Sequence, residues 1–527
     1  MEKKKVKLFS ALALVALALL VVGATYAYFQ NQYGSASNAD VKVTTYTTDV
    51  LTFETGDAIN ISADQDTFAQ GKGNQTGSTF ARTTLQANNK TNTATANYYM
   101  YLNIETNTFT YTNTGTPELI LQVVDKTSGN PVTSITGLDY VTVTDGKNTS
   151  ISGFDITNKK GLITILNNKE ISASPKTIEE YTVSITLVNH NFDQNVNTGK
   201  NLNGKLIIQK EKMITSISDV AKSGDALATV LETLGTKGDP SLTGLYYHDA
   251  NLTNGAGDNS YRFAGANPNN YVCFGSDDTT CPTENLYRII GVIDGKVKLI
   301  HANGATTDML GTDEGYVNTY ESESSYKGNG DLTKIGRYKW NKTRDNTWST
   351  STTNTINLNK NFLTYLDSKN TKWKTMIADT TWYVGGMTYN NGVKSIAKTA
   401  YNYEVGANKD ASTTVNAKIG LMYVSDYGFA AAPSAWATIL LNYDDDATIK
   451  NENWLYIGLD EWTISRRSDA SGIAFDVLGY GGVIDGAVDY YFGNLLRPSF
   501  SLSSSIKFTS GEGTAVNPIR INLWWGD

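Results

Sequence analysis

The chain has 527 residues, of which 40% are hydrophobic, 11% aromatic and only 18% charged, and it holds 46 glycines and 9 prolines. At roughly 100 to 200 residues per domain, this length predicts two or three domains rather than one core. The composition excludes long disorder, collagen and a coiled coil, and it favours a folded, strand-rich protein. Lysine plus arginine number 44 against 52 aspartate plus glutamate, a net charge of −8. A nucleic-acid partner is disfavoured, because phosphate neutralisation needs a basic surface.

The first residues carry an export pattern. Four lysines within the first seven positions precede an uncharged apolar run over 11–24. This run is too short to span a hydrocarbon core about 30 Å thick, which favours a secretory signal peptide over 1–27. Thr25 and Ala27 occupy the −3 and −1 positions, so cleavage is expected between Ala27 and Tyr28. An uncleaved membrane anchor is the alternative; the pattern predicts a secreted or cell-surface protein exported by the general secretory route.

Residues 28–212 are predicted to form an antiparallel β-sandwich. Short runs of alternating apolar and polar residues, without helical periodicity between them, recur at 98–104, 118–124, 161–166, 181–187 and 205–208. Many short strands at regular spacing are typical of a sandwich.

Residues 213–285 are predicted to be a helical linker followed by a disulfide loop. A helix is expected over 225–234, with Asp225 as its N-cap and Gly235 as its stop. The cysteines Cys273 and Cys281 lie in a loop-like stretch, which suits one local disulfide in an oxidising compartment. Two free thiols or half of a metal site would be the alternative, but the three histidines lie far away in sequence.

Residues 286–527 are predicted to form an α+β domain, so the whole chain is expected to be mainly β. Residues 286–293 and 296–300 flank Asp294-Gly295, which supplies the positive φ angles of a type I′ hairpin turn. Short helices are expected near 362–366 and 373–377.

The N-terminal succession of lysines, a short apolar run, Gly23 and Thr25-Tyr26-Ala27-Tyr28-Phe29 resembles the exported camelysin and biofilm-fibre proteins of Gram-positive bacteria. The resemblance covers about 30 residues. It implies self-assembly, in which an unpaired strand near the mature N-terminus of one sandwich completes the sheet of its neighbour.

The C-terminal region resembles surface domains of gut Firmicutes with a C-type-lectin-like fold of the formylglycine-generating-enzyme type. The similar pieces occur in order at 287–292, 381–386, 419–428, 461–465 and 497–500. The resemblance implies a rigid scaffold with a variable ligand face rather than a reaction. The enzymes of that fold use cysteine chemistry, whereas both cysteines here precede the similar region.

The same resemblance places the ligand face between the strands at Glu461-Trp462 and Arg497-Pro498. That interval carries the candidate binding residues Arg466, Arg467, Asp469, Asp485, Asp489, Tyr490, Tyr491 and Asn494. Tyr and Arg are frequent in binding hot spots, although Tyr also fills gaps between irregular strands. Packing roles are expected for Trp462, Phe475, Val477 and Phe500.

Motifs of catalysis are missing from the sequence. It contains no HExxH, Walker A, G-x-S-x-G or paired C-x-x-C motif, so no catalytic residue and no cofactor is expected. Ca²⁺ at Asp444–Asp446 is a weak candidate, because this run lacks the spacing and glycine of an EF-hand loop. The sequence thus predicts a non-enzymatic bacterial surface or matrix protein used for adhesion, with a surface protein or a glycan of host or bacterial origin as partner. A carbohydrate-binding or carbohydrate-active protein is the second hypothesis.

Overall fold

A computed structural model describes residues 48–69, 71–88, 92–444 and 447–523. The predicted signal peptide over 1–27 and its cleavage site at Ala27 and Tyr28 lie outside the described residues. The chain divides into two compact units, Met1–Met213 and Ile214–Asp527. Antiparallel strands predominate in both units, so the protein is mainly β.

The described part of the first unit consists of strands and their connections. The strands are β1 (Val50–Thr55), β2 (Ile59–Ser62), β3 (Gln75–Gln86), β4 (Ala94–Asn107), β5 (Leu119–Asp125), β6 (Tyr140–Thr144), β7 (Ser150–Asp155), β8 (Gly161–Ala173), β9 (Lys176–Leu187) and β10 (Asn201–Gln209). One sheet has the order β1-β3-β9-β5-β7-β6 and the other the order β2-β10-β4-β8.

Both sheets contribute to one buried cluster. Leu85 and Val183 come from the six-stranded sheet, and Leu102 and Leu206 come from the four-stranded sheet. In β3, buried side chains alternate with partly exposed ones over the second half of the strand. This period of two directs one face of the strand, with Ala81 and Leu85, into the cluster and leaves the other face partly exposed.

The second unit is built on a central sheet in the order β11-β12-β14-β15-β23, in which β13 also pairs with β14. A three-stranded sheet joins β20, β21 and β22, and the remaining strands pair as β16-β17, β18-β19 and β24-β25. The strands are β11 (Leu245–His248), β12 (Ser260–Phe263), β13 (Tyr271–Cys273), β14 (Leu286–Ile293), β15 (Lys296–His301), β16 (Tyr316–Thr319), β17 (Gly336–Tyr338), β18 (Thr380–Tyr383), β19 (Thr414–Ala417), β20 (Glu461–Arg466), β21 (Ile473–Val477), β22 (Val483–Ala487), β23 (Ser499–Ser501), β24 (Ile506–Ser510) and β25 (Arg520–Leu523).

The helices of the second unit are mostly short. They are α1 (Leu227–Lys237), α2 (Pro240–Thr243), α3 (Thr307–Leu310), a π-helix (Thr353–Phe362) that continues into α4 (Leu363–Lys369), α5 (Thr371–Thr375), α6 (Tyr389–Gly392), α7 (Ala397–Glu404), α8 (Val424–Ala430) and α9 (Ala447–Asn451). No helix within the described residues is long and apolar enough to cross a membrane.

The structure differs from the prediction that 213–285 form a linker. Strands β12 and β13 both pair with one edge of β14, and Leu231 and Phe274 belong to the buried cluster of the second unit. The segment therefore extends the central sheet. The disulfide is confirmed: Cys273 at the end of β13 is bonded to Cys281, with 5.8 Å between their Cα atoms.

Helix α1 begins and ends later than the predicted 225–234. The side chain of Asp225 accepts a hydrogen bond from the backbone N–H of Lys222 at 2.8 Å and does not cap the helix. Gly235 lies inside α1, where a Cβ atom would come within 2.4 Å of the Tyr261 ring. The glycine thus permits close packing of the ring rather than ending the helix. The type I′ hairpin is confirmed, with φ of 50° at Asp294 and 68° at Gly295.

Candidate ligand-binding face

The predicted ligand face lies on the sheet formed by β20, β21 and β22 and on the segment that follows it. The residues expected to pack, Trp462, Phe475, Val477 and Phe500, are all at most 2% exposed, which confirms their predicted role. Trp462 also donates its indole N–H to the carbonyl oxygen of Tyr338 at 2.8 Å. These contacts make the sheet a fixed support for the residues at its edge.

Arg467, which directly follows β20, joins two of the predicted carboxylates. Its guanidinium donates two hydrogen bonds of 2.9 Å to Asp469 and one of 2.8 Å to Asp485 on β22. The bonds to Asp469, and to a smaller extent those to Asp485, raise the pKa of Arg467 above its ordinary value. The arginine therefore ties the 467–473 turn to the neighbouring strand, and only 23% of its side chain is exposed.

Arg466 is oriented differently from the prediction. Its Nε donates to the carbonyl oxygen of Val384 at 2.7 Å, and its Nη1 donates to Oδ1 of Asn346 at 3.2 Å. Burial lowers the pKa of this half-buried arginine. Arg466, the last residue of β20, therefore supports the scaffold, whereas Arg467, just after the strand, bonds to the carboxylates of the candidate site.

Asn346 is a residue of this site that the sequence did not indicate. Its side-chain amide nitrogen lies 2.8 to 2.9 Å from the carbonyl oxygens of Arg467, Ala470 and Ile473, and its own side chain is 2% exposed. It holds the turn after β20 in one conformation. No local pattern could reveal it, because it lies more than 120 positions before that turn.

Asn494 is not part of an accessible face, and this prediction is wrong. The residue is 1% exposed, and its Nδ2 donates to Oδ2 of buried Asp476 at 3.1 Å. The reason lies in the preceding Gly493, whose φ of 63° directs the chain against the backbone of Tyr338. Two backbone hydrogen bonds of 2.8 and 2.9 Å then join Asn494 to Tyr338.

Three consecutive aromatic residues, Tyr490, Tyr491 and Phe492, form what we call the aromatic turn. Their exposed fractions are 38%, 67% and 46%, and each ring contacts the other two at centroid distances of 4.0 to 5.6 Å. A 3.1 Å hydrogen bond from the N–H of Gly493 to the carbonyl oxygen of Tyr490 closes the turn. Asp489, just before it, is half-buried.

A cleft of about 620 Å³ lies beside the aromatic turn. Arg337 connects the two features, because its guanidinium lies 5.9 Å from the ring centre of Phe492 and 4.9 Å from that of Tyr320. Among the residues that line the cleft are Tyr320, Glu321, Glu323, Arg337, Asp460 and Tyr480. The cleft thus combines two aromatic rings with three carboxylates and one cation, and Tyr480 is 53% exposed.

The proposed Ca²⁺ loop falls largely outside the described residues, since Asp445 and Asp446 are not among them. Within the part of the chain that the structure describes, no group of three or more His, Cys, Asp or Glu side chains is arranged to hold a metal ion.

Comparison with known proteins found no matching protein family, curated protein or solved structure. Conclusions about function therefore depend on the residues of the site.

Proposed function

We propose that this chain is an exported bacterial surface or matrix protein that binds its partner through the aromatic turn and the adjoining cleft, without catalysing a reaction. The observation that carries the proposal is the exposure of three contacting aromatic rings on a turn whose C-terminal end is held by the hydrogen bonds between Asn494 and Tyr338. Exposed apolar clusters with a polar surround are typical of interaction sites. Tyrosine and arginine supply rigid contact area and polar groups at binding hot spots.

The fold is compatible with this role. The two sheets of the first unit share one buried cluster, which supports the expected β-sandwich. The sheets and short helices of the second unit support an α+β scaffold, and we propose that it is C-type-lectin-like. Partner binding through a loop segment on such a rigid frame is a common arrangement.

Self-assembly through the first unit is supported by one of its edges. Strand β8 spans Gly161–Ala173 and, among the described strands, pairs only with β4. A long strand with an unpaired edge can accept a strand from another molecule. Sedimentation of the exported protein across a range of concentrations tests this proposal, which a monomer at every concentration would contradict.

Carbohydrate binding is the second candidate function, and the cleft favours it. Tyr480 offers an exposed ring face, while Glu321, Glu323 and Asp460 offer hydrogen-bond acceptors for hydroxyl groups. Rings that combine an apolar face with neighbouring polar groups suit the alternating apolar and hydroxylated surface of a sugar.

A glycan array and a pulldown from surface extracts, both with the exported protein, separate the two candidates. Selective retention of a glycan supports carbohydrate binding, whereas a silent array with a captured protein supports adhesion to a protein. The Tyr491→Ala variant should weaken either interaction by about 1 to 3 kcal/mol. Tyr247→Ala is the control, because Tyr247 is 39% exposed but lies on β11. Equal binding by the wild type and the Tyr491→Ala variant would contradict the proposed site.

Export is tested separately by sequencing the N-terminus of the protein recovered outside the cell. A mature start at Tyr28 supports cleavage after Ala27. A start at Met1 would mean that the apolar run is retained as an anchor.

A further inference from the structure

Most buried cations of the described chain are paired with carboxylates. Arg262 and Lys298 share Asp426, at 3.3 and 2.6 Å, and Arg497 pairs with Glu461 at 2.6 Å. Such pairing is expected, because the transfer of an unpaired charge out of water costs several kcal/mol.

Arg288 departs from this pattern. Arg288 is 6% exposed. No carboxylate oxygen of the described residues lies within 4.0 Å of its guanidinium nitrogens, the limit for an ion pair. Its hydrogen bonds go to neutral oxygens, those of Asn270 at 2.7 Å, Pro268 at 3.1 Å, Trp454 at 3.2 Å and Asn267 at 3.4 Å. The rings of Tyr271 and Trp454 cover the guanidinium at 4.4 and 4.6 Å. Burial lowers the pKa of Arg288 to about 10, so the group is still a cation at neutral pH.

Arg288 lies at a pocket of about 170 Å³, and two further cations line that pocket. Lys327 is exposed at its rim, and Lys450 is half-buried. Burial and, to a smaller extent, the nearby charge of Lys450 lower the pKa of Lys327. None of the described residues that line the pocket is acidic. Three cations thus converge on one pocket in a chain whose net charge is −8.

Neutral amides complete the lining. The asparagines of the pocket are Asn267, Asn303, Asn329, Asn451 and Asn453. At the rim, the ammonium group of Lys327 donates to Oδ1 of Asn451 at 2.5 Å. Asn329 and Asn451 are exposed, whereas Arg288, Asn453 and Trp454 form a buried floor. The pocket is therefore open at a polar rim and positively charged at its base.

We propose that this pocket binds a compact oxyanion, namely a sulfate, phosphate or carboxylate group. The bound anion would be the counter-charge that Arg288 lacks within the protein. Arginine and lysine are the usual partners of such groups, and a cavity of this size holds a few heavy atoms rather than a chain. The site is separate from the aromatic turn, and the proposal does not depend on the proposed function. The asparagines at the rim would contact whatever carries the anionic group.

Calorimetric titration of the exported protein with sodium sulfate, sodium phosphate and sodium acetate tests this site, with chloride added to keep the ionic strength constant. We expect saturable binding of at least one of these anions. The double variant Lys327→Gln/Lys450→Gln should bind at least about tenfold more weakly, because two of the three charge-assisted contacts are lost. The matched control is Lys334→Gln/Lys394→Gln, which removes the same charge elsewhere and should bind like the wild type.

Absence of saturable heat with all three anions would overturn the proposal, as would equal affinity of the wild type and the pocket variant. Thermal unfolding checks that each variant is folded. If the pocket double variant does not fold, the two single variants replace it, with an expected loss of about threefold each. A further titration with glucosamine 6-sulfate shows whether the anionic group belongs to a glycan or is a free ion. Tighter binding than that of sulfate indicates the sulfated end of a glycan, and equal binding indicates the free anion.

Discussion

Asp476 and Asn494 form a hydrogen-bonded pair in the interior of the second unit, with 3.1 Å between Oδ2 of the carboxyl group and Nδ2 of the amide. Oδ1 of each side chain is buried and has no hydrogen-bond partner among the described atoms. Burial, with a smaller contribution from Asp460, raises the pKa of Asp476 well above its usual range. A protonated carboxyl group suits this environment, because it can donate where a carboxylate cannot.

The Asp476→Asn variant should therefore be more stable than the wild type at pH 8. The pKa of Asp476 is higher in the folded than in the unfolded chain. The contribution of this group to the free energy of unfolding is therefore complete below about pH 4, and it is lost as the pH rises through the pKa of the folded state. The amide is neutral throughout and should increase the free energy of unfolding by about 1 to 3 kcal/mol. Urea unfolding at pH 8 measures this, and a less stable variant would show that Asp476 is needed as a carboxylate.

Glu404 provides a second test of pH dependence. Burial raises its pKa to about 7, even though the carboxyl group accepts hydrogen bonds from Ser465 and from the backbone N–H groups of Val424 and Ser425. The raised pKa makes stability fall with rising pH, as for Asp476. The contribution of Glu404 to the free energy of unfolding is complete below about pH 4.5, and it declines by at most about 3 kcal/mol up to about pH 7.

This decline should be smaller in Glu404→Gln when both proteins are compared in the Asp476→Asn background, which removes the contribution of Asp476 to the pH dependence of stability. The glutamine amide would place an N–H group against a backbone donor, so Glu404→Gln should also be less stable at pH 5 by about 1 to 3 kcal/mol. Urea unfolding at half-unit pH steps gives both quantities. An unchanged slope would mean that Glu404 does not titrate in this range.

Trp462→Ala should destabilise the second unit by about 3 to 5 kcal/mol, because it leaves a cavity and removes the hydrogen bond to Tyr338. Trp462→Phe should lose less, since it keeps a ring in the core. Tyr491→Ala should change stability by less than about 0.5 kcal/mol, since the residue is 67% exposed. Thermal denaturation of the three variants measures this, and a similar midpoint for Trp462→Ala and the wild type would contradict the packing role.

Arg467→Ala should cost about 1 kcal/mol of stability, because it leaves Asp485 without the cation that neutralises it; the partial exposure of the arginine keeps the effect small. A double-mutant cycle with Asp485→Ala should give a coupling of about 0.5 to 1 kcal/mol. Additive effects in that cycle would mean that the pair contributes nothing to the fold.

Reduction of the Cys273–Cys281 disulfide should lower the free energy of unfolding by about 2 to 3 kcal/mol, because the bond restricts the unfolded chain. The Cys273→Ser/Cys281→Ser variant is the stable equivalent of the reduced protein. Alkylation of the native protein provides the direct check, since two reactive thiols would contradict the bond.

The sequence predicted best what is local. The alternation over 181–187 is part of β9, and Asp294-Gly295 forms the expected turn, because neighbouring residues alone determine these features. Gly235 shows the limit of local prediction. A glycine is expected to end the helix, but the helix continues past Gly235, where the missing side chain lets the Tyr261 ring pack closely.

The candidate site was harder to predict because it depends on distant contacts. The sequence shows that Arg466 and Arg467 are neighbours, but it cannot show which of the two side chains is bonded to the scaffold. The burial of Asn494 depends on Tyr338, and the pocket around Arg288 brings together residues that are up to about 190 positions apart in the chain. Such sites arise only after the sheets have assembled.

Asn346 fixes the 467–473 turn, and Tyr338 fixes the chain just after the aromatic turn. Both anchors lie far from these turns in the sequence. A synthetic peptide that covers 466–494 would contain neither of these anchors and would lack the conformation found in the folded protein. Antibodies raised against that peptide should recognise the denatured chain on a blot and fail to bind the folded protein. Antibodies that bind the segment in its native conformation would have to be raised against the folded protein, because the epitope is conformational.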